Sequence, residues 1–337
     1  MLPCFLTLEL LEGYIEDHGV LNNSHLLLLN HCTHSLLEKK FYRVVCLTTP
    51  KSISLLYRTL STSPSKASMV RALFVRGGSN DTSFPWTLDP LLPRYAYTQQ
   101  ATKAIKPQHH MGLSLLISKV AKTLEILVLK QIEPTPVARG ILFVHDFPML
   151  STLECPAALV SPTLRPPSCA LNGVCLYCHT TGEEHPTEKF AWMANLTRLV
   201  VALDKSHSNG SPPCIAHFSS LREYALDFVG FARDVKPIQA ATLGAFAHMP
   251  SSVSVVLLHE NDPTLTRMSI ARGCLHRPDI YRKLCFVFNG STAQNNVRSG
   301  TVTIARPLVL QWAIELEATR EEDIWENASD LIISRVF

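Results

Sequence analysis

A chain of 337 residues in which 46% are hydrophobic and only 18% charged can bury a large core, and it is not the composition of a disordered polymer. The formal net charge of +3 comes from Lys and Arg residues scattered without a basic stripe, so nucleic acid is not an expected partner. Ten irregularly spaced cysteines make no disulfide framework, and no apolar run approaches the ~20 residues of a membrane helix; a cytoplasmic or nuclear protein without a membrane span is expected.

In chain order, the first segment is LPCFLTLELLEGYIEDHG. It is apolar but lacks a basic flank, and Glu9 and Glu12 interrupt it, so it does not read as a signal peptide. Together with NSHLLLLNHCTHSLLEKK it predicts two or three short helices, with Leu8, Leu11, Ile15, Leu26, Leu29, Leu36 and Leu37 forming a small apolar cluster. Leu2 and Pro3 would stay partly exposed. Such a cluster serves equally as a docking module or as a helical cap for a repeat array.

Strand-like runs then recur: RVVCLT (43–48), VRALFV (70–75), LEILVL (124–129), LSTLEC (150–155), LTRLVVAL (196–203), LREYAL (221–226), SVSVVLL (252–258) and KLCFVF (283–288). Their starts step by roughly 25–31 residues or about twice that, the spacing of a strand–helix repeat. Between them, PKSISLLYRTL carries a helical stripe of Ile53, Leu56, Tyr57 and Leu60 behind Pro50, and MGLSLLISKVAKT carries Leu113, Leu116, Ile117 and Val120. Strand, helix and strand at this step predict an α/β fold with parallel strands. A doubly wound sheet and an open solenoid both fit. The shared Leu-x-x-Leu phase at Leu124/Leu127, Leu150/Leu153 and Leu196/Leu199, with Tyr224 after Leu221, favours an irregular leucine-rich-repeat-like βα solenoid. Segments 79–110 and 156–190, rich in Pro, Ser, His and Gly, are expected as loops on its rim, and TREEDIWENASDLIISRVF predicts a closing helix with a Thr319/Glu322 capping box.

Few residues suggest chemistry. Gly77–Gly78 follows a strand but leads into SNDTSFPW, without the helix and lysine of a phosphate loop. His145–Asp146, His109–His110 and Asp279 could join acid–base pairs, yet no nucleophile elbow accompanies them. The run Cys175-Leu-Tyr-Cys178-His179 offers thiolate and imidazole donors that suit zinc better than haem, although a zinc ribbon would want a second CxxC; a loop with incidental cysteines is the plainer reading. No cofactor is expected.

Leu2-Pro3, then Leu8-Glu9-Leu10-Leu11 and Ile15, a Leu/Cys-rich helix and FYRVVCL (41–47) together resemble the F-box, the helical motif that docks an adaptor onto the linker subunit of a cullin ubiquitin ligase. Pro64 to Val70-Arg71-Ala72-Leu73, the run Phe147-Pro148-Met149-Leu150 and the Glu321–Trp325 segment are similar to a large family of fungal, mushroom-type F-box-like proteins. The resemblance implies three parts: an F-box-like module over 1–47, an irregular repeat region over 48–318 and a capping helix over 319–337. It further implies a non-catalytic adaptor, the substrate-recognition subunit of an SCF-type ligase. Leu2, Pro3, Leu8, Leu10, Leu11 and Ile15 would meet the linker, an unknown protein would be the substrate, and the chain would be a monomer outside that complex. Three other readings remain open: a repeat scaffold that has lost linker binding, a zinc-binding protein, and an α/β enzyme.

Overall fold

The computed structural model describes residues 38–39, 41–47, 49–76, 109–130, 132, 135–160, 171, 173–178, 195–204, 215–216, 218–229, 242–259, 278–289 and 301–304. The chain divides into two compact units: residues 1–133 with 145–149, and residues 134–144 with 150–337. The division falls inside the segment 48–318 that the sequence pattern presents as one repeat region. Of the helices predicted within residues 1–40, only residues 38–39 are described, and they are helical; the helix predicted over 319–337 lies outside the described residues.

In the first unit the described elements are β1 (Val44–Leu47), α1 (Pro50–Thr62), α2 (Pro64–Ala67), β2 (Ala72–Arg76), α3 (His110–Val120) and β3 (Ile126–Lys130). Helix α1 starts where chemistry tells it to. Thr49 Oγ1 accepts from the Ser52 N–H at 3.1 Å while Ser52 Oγ accepts from the Thr49 N–H at 3.2 Å, and Pro50 supplies a preset first turn. It stops at Ser63, because the residue before Pro64 is pushed out of the helical region. Ile53 and Leu60 of α1 and Leu113, Leu116, Ile117 and Val120 of α3 are buried, and the two helices pack together. Strand β2 pairs in parallel with both β1 and β3. Thr123 ties the strand approaches together, its Oγ1 donating toward Val70 O at 3.0 Å and lying 3.3 Å from Ala67 O.

The second unit contains α4 (Pro136–Val144), β4 (Thr152–Pro156) with a 3-10 turn at Ala157–Leu159, and β5 (Gly173–Cys178), β6 (Arg198–Asp204) and β7 (Glu223–Val229). A helix over 242–247 (α5), β8 (Val255–His259), α6 (Pro278–Arg282), β9 (Leu284–Asn289) and β10 (Thr301–Ile304) complete it. From β4 to β10 each strand pairs in parallel with the next in sequence. The expected α/β class with parallel strands is therefore present, and the strand order within each unit is sequential.

Register explains the leucine phase. Leu153, Val174, Leu199, Tyr224, Val256 and Leu284 are partners across successive strands, and each is 1% exposed or less. Burying each such side chain contributes about 1.5–3 kcal/mol. A second column, Leu150, Leu171, Leu196, Leu221 and Val253, stands three residues earlier, ahead of the strands. The opposite strand face is also buried, at Glu154, Val200, Ala225, Leu257 and Cys285. Sheets covered on both faces are the usual environment of parallel strands.

Several expectations need correction. The strands start one to three residues later than predicted, because the first apolar residue of each pair belongs to the approach and not to the ladder. Residues 173–178, expected within a loop, form β5: Leu171 and Val174 repeat the apolar-x-x-apolar pair that neighbouring strands use. Strand β10 and helix α4 are further additions to the predicted elements. Thr135 Oγ1 accepts from the Ala138 N–H at 3.2 Å and so caps α4 directly ahead of Pro136.

Candidate functional site

The residues expected to dock a linker, Leu2, Pro3, Leu8, Leu10, Leu11 and Ile15, lie outside the described residues, as does His179. Cys175 and Cys178 fall on β5, paired in register with Val200 and Leu203. No group of three or more metal-ligating residues occurs among the described residues. His110 is fully buried on α3, and Asp279 is exposed in the first turn of α6.

His145 does meet a hydroxyl. Ser114 Oγ on α3 lies 3.2 Å from His145 Nε2, and the imidazole stands edge-on to the buried Phe147 ring, with centroids 6.4 Å apart at 86°. Burial lowers the His145 pKa below its ordinary value, and a hydrogen bond to the Ser114 main chain opposes that shift. A neutral imidazole at this distance from a serine is the first requirement of a nucleophile–base pair. The same contacts also fasten the 145–149 turn onto α3, a sufficient reason for them.

A different cluster forms where the strands of the first unit begin. Lys39, Arg43, Ser68, Met69, Arg71 and Glu125 line an open cavity of about 470 Å³. Arg43, Arg71 and Glu125 occupy one structural position, the residue just ahead of β1, β2 and β3. Their main chains extend the ladder: the Arg71 N–H donates to Arg43 O at 2.9 Å and the Glu125 N–H to Arg71 O at 2.7 Å. Arg71 Nη1 reaches Glu125 Oε1 at 3.3 Å and Thr123 O at 3.4 Å. Behind the groove, Lys66 Nζ pairs with Glu38 at 2.8 Å and lies 5.2 Å from the centre of the Tyr42 ring. The hydrogen bond to Glu38 raises the Lys66 pKa, with partial burial opposing it.

Sequence reasoning misses this groove because residues 43, 71 and 125 are far apart in the chain. Aligning Tyr42-Arg43, Val70-Arg71 and Leu124-Glu125 as equivalent strand approaches would find it. The second unit places charge near the starts of its own strands: Arg198 and Glu223, partners in register at the starts of β6 and β7, form an ion pair, and Lys283 Nζ donates to Val253 O at 2.6 Å.

Among the described residues no helix is long and apolar enough to cross a membrane. In comparisons with known proteins, no family model, no curated protein and no solved structure matches the chain.

Proposed function

We propose that the chain is a non-catalytic protein-interaction adaptor, the substrate-recognition subunit of an SCF-type cullin ubiquitin ligase, acting in the cytoplasm or nucleus. The observation that supports it is the sequential parallel strand order with aligned apolar columns. In that arrangement each strand buries its leucines against its neighbours, as an irregular leucine-rich-repeat-like solenoid requires, and the residues are committed to packing. Both strand faces are buried, so substrate recognition on this reading belongs to the edges where strands begin and to the connecting loops. The linker contact belongs to the segment carrying Leu2, Pro3, Leu8, Leu10, Leu11 and Ile15, whose apolar spacing suits a helix laid into a groove.

The test is capture from a fungal lysate by the full-length chain and by its Leu8→Asp/Leu11→Asp variant, read by mass spectrometry. The linker subunit and cullin should come down with the unsubstituted chain and be lost with the variant. Equal capture by both would sink the docking assignment, and capture by neither would leave a repeat scaffold without linker binding.

A further inference from the structure

Lys39 and Arg43 stand four residues apart on the helical residues preceding β1, a spacing that puts two like charges on one face at a cost. Neither side chain has an ion-pair or hydrogen-bond partner among the described residues, and the carboxylate of Glu38 beside them is held by Lys66. Arg71, in the same groove, shares its guanidinium between Glu125 and the Thr123 carbonyl and is still 37% exposed. Three cations against one carboxylate thus face the same open space. An arrangement that tolerates like-charge proximity and leaves its donors pointing at solvent is complementary to an incoming anion.

We propose that the groove formed by Lys39, Arg43 and Arg71 binds the carboxylate or phosphate groups of an acidic polypeptide segment. Three features select that ligand. The space is open, and charged or hydroxyl-bearing residues supply five of its six lining positions, whereas small-molecule sites enclose their ligands in mainly apolar walls. Lys66 occupies one face of the nearby Tyr42 ring, which reduces the surface it could offer for stacking a nucleobase. Met69 adds an adaptable apolar wall for the stems of peptide side chains. Only the polypeptide nature of the ligand rests on the adaptor reading; the groove needs no linker, and its test contains none.

The full-length chain is titrated with a fluorescein-labelled decapeptide of Glu and Gly, with the same peptide carrying phosphoserine at two Glu positions, and with inorganic phosphate as competitor. Both peptides should bind, with affinity falling as salt rises. Lys39→Gln/Arg43→Gln should weaken binding about tenfold or more, since two charge-assisted contacts are lost. Lys51→Gln/Arg58→Gln, which removes the same charge from exposed positions of α1, should change it less than about twofold. Glu125→Gln should tighten it by releasing Arg71, an effect that damage to the fold would not produce. Equal losses in the two double variants, or no binding at millimolar peptide, would overturn the proposal. So would competition by phosphate as strong as that by unlabelled peptide, which would make the groove a small-anion site.

Discussion

At the scale of single residues, His145 is the group whose environment makes a directional statement about stability. Burial lowers its folded-state pKa, while in the unfolded chain it titrates near the ordinary value of about 6.5. Between those two values the unfolded state holds the proton more firmly, so acidification favours unfolding there. The contribution of the buried neutral ring is present above about pH 6.5 and is lost as pH falls through the folded-state pKa. His145→Gln keeps a side chain able to hydrogen bond Ser114 and removes the titration. The urea midpoint of the unsubstituted protein should therefore fall further between about pH 7.5 and 5 than that of His145→Gln, the remaining histidines acting alike in both. Equal falls would mean that the ring is hydrated to the same extent folded and unfolded.

At the scale of elements, α1 depends on its cap. Thr49→Ala removes the acceptor of the Ser52 N–H and half of a reciprocal pair, and should cost about 1 kcal/mol, read as a lower thermal midpoint with unchanged helix content at low temperature. This helix is legible in sequence because its signals are local: Thr49 and Pro50 at one end, Ser63-Pro64 at the other, and a stripe between. Helix α4 carries a comparable Thr135-Pro136 start, but Gly140 and a short, nearly all-apolar run hide its stripe. Strand existence is legible for the same reason as the leucine phase, while strand starts are displaced because Leu150 or Leu196 looks the same in an approach turn as in a ladder. Pro166 and Pro167 give the segment ahead of Leu171 and Val174 the look of a loop, which conceals β5. The groove of Lys39, Arg43 and Arg71 is not legible as a cluster, since only parallel register brings residues 43, 71 and 125 side by side.

At the scale of the whole chain, sequential pairing determines how far a lesion should spread. Leu199 lies in register between Val174 on β5 and Tyr224 on β7, all of them buried, and truncating it to alanine should cost about 2–5 kcal/mol. In a structure held by nearest-neighbour contacts that loss is felt first by the strands that shared the removed side chain. Hydrogen exchange of Leu199→Ala should then show amide protection falling in β5, β6 and β7, with β1, β2 and β3 retaining theirs. A uniform fall across both units would mean that the chain unfolds as one cooperative body. Strand-by-strand stacking would then describe its geometry but not its energetics, and the repeat-scaffold reading would lose the physical property that makes such arrays tolerant of irregular insertions between their strands.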